Sequence, residues 1–85
     1  MPEISRFYGI VIEMRRNEHA PPHFHAKCGR ETVSITIADG TVTGRFPPGK
    51  RALVLRWWNL HKRELLENWN LAQARLPPRY IDPLD

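Results

Sequence analysis

The chain has 85 residues, 41% hydrophobic and 26% charged, which is the composition of a folded rather than a disordered protein. A chain of this size buries only about 60–65% of the surface its unfolded form exposes, so one modest core is its ceiling; a two-domain enzyme, a dinucleotide fold with a substrate domain and an eight-unit barrel are excluded. The formal net charge is +4, and the longest uninterrupted apolar run, Ala52–Leu55, falls far short of a membrane span.

Residues 1–85 read as a single domain, with a sheet over 7–44, a helical region over 50–75 and a tail over 77–85. Phe7–Met14 alternates as a strand, with Tyr8, Ile10, Ile12 and Met14 on one face and Gly9, Val11 and Glu13 on the other. Arg15–Pro22 is a polar loop closed by Pro21-Pro22, which cannot donate to a ladder. His23–Cys28 alternates again, Phe24, Ala26 and Cys28 against His23, His25 and Lys27, and Gly29-Arg30 forms a tight turn. Glu31–Ala38 puts Val33, Ile35 and Ile37 inward. Asp39-Gly40 suits a type I′ hairpin, which would set Ile37 opposite Val42 and Thr36 opposite Thr43. These runs predict a four-stranded antiparallel meander with one apolar and one polar face.

Pro47, Pro48 and Gly49 break the strand pattern, and residues 50–75, free of both residue types, read as helix. Leu53, Trp57 and Leu60 share one side of the wheel, while Leu65, Trp69 and Ala72 fall roughly 120° away at about 100° per residue. One straight helix cannot bury both stripes on one sheet, so a break is expected near His61–Arg63, giving two helices or one kinked helix over the apolar face. His61 would then end the first helix, where a cation favours the dipole. Trp57, Trp58 and Trp69 are core or interface anchors. In the tail after Pro77-Pro78, Tyr80, Ile81 and Leu84 are candidates to dock on the body or on a partner. The class is therefore α+β.

Residues 18–27 carry the chemistry. On a strand, His23 and His25 project to one side about 6.5–7 Å apart, joined by Lys27 and, from the next strand, Ser34 and Thr36. His19 lies just upstream. One reading is a metal site in which His19, His23 and His25 hold zinc or another divalent ion, with Glu18 or Glu31 as a fourth ligand; Cys28 points to the opposite face. A second is metal-free acid–base cleavage of a phosphodiester by His23, His25 and Lys27, since histidine titrates near neutral pH. In the third, the rings are structural, stacking on aromatics or bonding the Arg15–Pro22 loop.

Charge is distributed unevenly. Residues 1–42 hold five basic and five acidic side chains, whereas residues 43–85 hold eight and four. Arg45, Lys50, Arg51, Arg56, Lys62 and Arg63 form a run without an acid, a candidate surface for RNA, DNA or an acidic protein. No secretory signal follows Met1 and the single Cys28 cannot pair internally, so a cytoplasmic location is expected and a membrane is not among the partners.

Pro2–Ile10, the His19-Ala20-Pro21-Pro22-His23-Phe24-His25 block, Leu60-His61, Glu64-Leu65-Leu66, Asn68-Trp69 and Ile81–Leu84 together resemble a family of short bacterial proteins, domain of unknown function 4160. Trp58 beside Trp57 adds bulk where the family pattern leads one to expect a smaller residue. The resemblance implies a small cytoplasmic protein encoded beside another small one, a pairing of toxin–antitoxin type, and carries over no catalytic residue. Two functions follow: a module of toxin–antitoxin type binding a cognate protein from the same operon and nucleic acid through the basic segment, or a small histidine- or metal-dependent hydrolase or ribonuclease using His19, His23 and His25. A plain interaction subunit is a third. An exposed Trp58 or an open sheet edge would suit a homodimer, which periodicity does not decide.

Overall fold

The computed structural model describes residues 3–16 and 18–85; Pro2 of the opening segment and Asn17 of the polar loop lie outside them. The chain runs β1 (Glu3–Phe7), β2 (Ile10–Glu13), β3 (His23–Cys28), β4 (Glu31–Thr36), β5 (Val42–Thr43), α1 (Pro48–Leu60) and α2 (Lys62–Gln73). The strands form one antiparallel sheet in sequence order. The class is the expected α+β, with five strands rather than four.

The extra strand comes from the first segment. Instead of one strand over Phe7–Met14, the chain reverses at Tyr8-Gly9, so that Phe7 pairs with Ile10. Both turn residues have positive φ, 51° and 77°, which matches the right-handed strand twist as a type I′ turn does. Tyr8 is therefore half-exposed rather than inward. Its hydroxyl donates to the Asp85 carbonyl, and Lys50 Nζ donates to the Tyr8 carbonyl, so tail and helix both hold this turn.

The second hairpin also departs from expectation. Ile35 pairs with Val42, Ser34 with Thr43, and the Thr36 N–H bonds the Thr41 carbonyl, a register two residues from the one a tight Asp39-Gly40 turn dictates. A two-residue shift keeps every side chain on its face. The four-residue loop lets Ile37 reach the core and present its carbonyl to Trp58 Nε1 at 2.8 Å. Asp39 accepts the Thr41 N–H instead of entering the positive-φ region, and that bond holds its carboxyl below the ordinary range. A Cβ on Gly40 would lie 2.9 Å from the Trp58 ring, so the bulk of Trp58 is seated on a glycine.

On the apolar face, Ile12, Ala26 and Val33 form one cross-strand row and Phe24, Ile35 and Val42 another. Trp57 packs on this face between β1 and β3, its ring 5.4 Å from Phe7 and 5.8 Å from Phe24. Fully burying a side chain such as Phe24 is worth about 1.5–3 kcal/mol. The helix starts at Pro48, earlier than residue 50, because a proline at the first position needs no N–H partner. The break falls at His61, as the two offset stripes require. Leu60, however, is 67% exposed. The inward line is Val54, Trp57, Trp58 and His61, and the His61 ring takes the place against Trp57 at 5.4 Å. His61 also bonds Glu64 at 2.6 Å, so its side chain serves the first turn of α2 as well as the end of α1.

Helix α2 closes with Arg75 at φ 61°, the Leu76 N–H bonding the Leu71 carbonyl and the Arg75 N–H that of Ala72. This is the bonding of a Schellman cap, with arginine where glycine is usual. The tail then folds back. Asn68 bonds the Arg79 backbone through both amide atoms, the Ile81 N–H reaches the Ile4 carbonyl on the outer side of β1, and Trp57 Nε1 donates to the Asp82 carbonyl. Ile81 and Leu84 are buried, whereas Tyr80 is exposed.

Candidate metal centre

On the polar face, Glu13, His25, Ser34 and Thr43 stand in one cross-strand row, with His23 beside Thr36. The pleat puts the two imidazoles edge to face, centroids 5.1 Å apart. The loop between β2 and β3 then turns Glu18 over them. Glu18 Oε1 lies 2.9 Å from His25 Nε2 and 3.9 Å from His23 Nε2. One ligand atom from each of Glu18, His23 and His25 falls within 4.8 Å of the other two, and all three residues are half-buried.

Two features orient the rings. His23 Nδ1 lies 2.8 Å from the Pro21 carbonyl, which only accepts, so Nδ1 carries a proton and Nε2 is the ring nitrogen that faces Glu18. Donation of the far ring N–H to a backbone carbonyl is the usual arrangement of metal-ligating histidines. Trp69 of α2 packs on the other side of His23 at 5.3 Å. Gln73 Nε2 donates to the Glu18 carbonyl at 3.0 Å, so α2 anchors the loop that carries the acid. Burial pushes the His25 pKa below the ordinary histidine value, against the Glu18 hydrogen bond that favours protonation. A neutral imidazole is the form that binds a metal.

The remaining predicted residues have other places. His19 is exposed and lines, with Glu18, Pro21, His23, Ser34, Thr36 and Thr43, a cleft of about 420 Å³ beside the cluster. Lys27 shares the face but extends to the buried Glu13, Nζ 3.7 Å from Oε2, and Arg15 reaches the same carboxylate at 3.4 Å. Cys28 and Glu31 pair at the far end of the hairpin, roughly 16 Å along a six-residue strand from His23. Glu18, one of two acids weighed for a fourth ligand, is thus the acid the fold brings to the imidazoles. The only sequence signal for it was its place in the loop entering the histidine strand.

The basic segment is dispersed. Arg45, Arg51, Arg56, Lys62 and Arg63 are exposed, Lys50 is half-buried against Tyr8, and Lys62 Nζ lies 4.8 Å from the Trp58 ring centroid. No helix among the described residues is long and apolar enough to cross a membrane.

An α+β domain whose half-buried Glu-His-His cluster opens on a cleft is the class that fold and site define. The chain belongs to the family described as Domain of unknown function (DUF4160), whose model matches residues 9–70. That span takes in Glu18, His23, His25 and the whole cleft lining, and leaves out β1 and the tail. No curated protein and no solved structure matches the chain.

Proposed function

We propose that this protein is a small metal-dependent hydrolase, its centre formed by Glu18, His23 and His25. The observation that carries the reading is the convergence of three ligand atoms within 4.8 Å, one ring already held through its far nitrogen. Two imidazoles and one carboxylate suit zinc, manganese, iron or nickel, and three protein ligands leave a position for water. A divalent ion brings the pKa of such a water down to about 7, making hydroxide available at neutral pH. The same contacts brace the loop between β2 and β3, so a structural role and a chemical one share the same groups.

Metal analysis of purified protein tests the reading. One zinc, manganese or nickel ion per chain is expected, lost in the His23→Ala/His25→Ala variant while the fold is retained by circular dichroism. Absence of any metal binding by calorimetry overturns it.

A second reading gives the protein a macromolecular partner. Arg45, Arg51, Arg56 and Arg63 are exposed, and the ion pairs formed by arginine and lysine among the described residues involve Arg6, Arg15 and Lys27 instead. Free guanidinium groups favour a polyanion or an acidic cognate protein, as in a toxin–antitoxin pair. A cytoplasmic location, which the unpaired Cys28 favours, accords with both readings. A steep fall of RNA or DNA affinity with salt would support the second.

A further inference from the structure

We infer that the substrate of the Glu18–His23–His25 centre is a phosphodiester monoanion, held between the metal and the hydroxyls of Ser34, Thr36 and Thr43. The inference rests on the metal-dependent reading above and names its substrate class. Register carries it first. Ser34 stands directly opposite His25, Thr36 opposite His23, and Thr43 opposite Ser34 on the next strand. Directly opposed residues have Cβ atoms about 4.5–5.5 Å apart. A tetrahedral phosphate fits that separation, with one non-bridging oxygen on the metal side and the other accepting from a hydroxyl. The three hydroxyls line the same cleft as Glu18 and His23, so metal side and donor side face one space of about 420 Å³.

Charge carries it second. A divalent ion bound by one carboxylate keeps a single net positive charge, which one diester charge neutralises. Dianionic monoesters are typically held by arginine forks, lysine or helix N-termini. The described cleft lining contains neither lysine nor arginine, and the cations bordering the imidazoles, Arg15 just after β2 and Lys27 on β3, face Glu13. Neutral hydroxyl donors suit the diester better than the monoester.

The reaction balances with solvent water as the only co-reactant. The water oxygen forms a bond to phosphorus as one ester P–O bond breaks. The electron pair of that bond and a proton from the water depart with the alcohol, so diester and water give monoester and alcohol with no oxidation or reduction.

The test uses the full chain loaded in turn with zinc, manganese and nickel, and bis-p-nitrophenyl phosphate, p-nitrophenyl phosphate and p-nitrophenyl acetate as probes. Cleavage of the diester in preference to the other two is expected, abolished by chelator. Losing one donor to a charged group costs about 10- to 100-fold, so Ser34→Ala should lower kcat/KM by that factor, and a Ser34→Ala/Thr43→Val variant by more, with metal stoichiometry and melting temperature unchanged. RNA and DNA oligonucleotides extend the diester arm: cleavage of both points to direct attack by water, and cleavage of RNA alone to the 2′-hydroxyl as nucleophile, which overturns the water step. Full metal occupancy without diester cleavage, or undiminished cleavage in the double variant, overturns the substrate class alone. Failure to bind metal removes the underlying reading with it.

Discussion

In β3 the pleat sets His23 and His25 side by side, and a loop residue seven positions before His25 completes a cluster within 4.8 Å. In α1 the opposite happens: Arg51 and Arg56, close in sequence, leave the helix about 140° apart at about 100° per residue. A charge run that looks like one surface is spread by helical geometry, with Lys50 turned back to the Tyr8 carbonyl and Lys62 over Trp58. An alternating strand concentrates what a helix of the same composition disperses. That contrast favours the histidine strand as the place where chemistry is assembled.

The contrast is open to direct attack. The largest effect is expected from Phe24→Ala, which empties the fully buried position between the two histidines in sequence, on the face that packs against Trp57. A loss of about 3–5 kcal/mol in urea unfolding is expected for such a truncation. A loss under about 1 kcal/mol would mean that the apolar face does not hold β3 in place. Next comes the pair Glu18→Gln and Arg56→Gln. The first should weaken zinc or manganese binding more than about 100-fold by calorimetry, beyond the range for outer-shell partners, while the second leaves it within about twofold. Equal effects would dissolve the distinction between the clustered and the dispersed region. The smallest effect tests the helical side alone: Arg75→Gly should raise stability by about 0.5–1 kcal/mol, since glycine meets no Cβ penalty at φ 61°. A destabilised variant would show that the Arg75 side chain makes a contribution larger than its backbone strain.

Much of the architecture was legible because it follows from period. Alternation identified β3 and β4 and the apolar faces of both, and the phase slip between Trp57 and Trp69 located the break at His61. The Tyr8-Gly9 reversal was not legible, because Phe7–Met14 alternates without interruption and only the positive φ of both turn residues marks the bend. The Asp39-Gly40 signal misled for a related reason. Local turn preference competed with the burial of Ile37 and the Trp58 hydrogen bond, and the tertiary contacts won. Leu60 went the same way, displaced from the core line by His61, whose ring fills the position on Trp57.

For the site, the sequence by itself determined that His23 and His25 would stand together on a polar face, because a strand leaves neighbouring odd positions no other choice. It also determined the hydroxyl row opposite them, through the pattern of Ser34 and Thr36. Which acid would join them was decided only by tertiary structure. The stretch from Met14 to Pro22 has no period to read, and Glu18 is held by α2, where Gln73, 55 residues further along the chain, bonds the Glu18 carbonyl and Trp69 packs on His23.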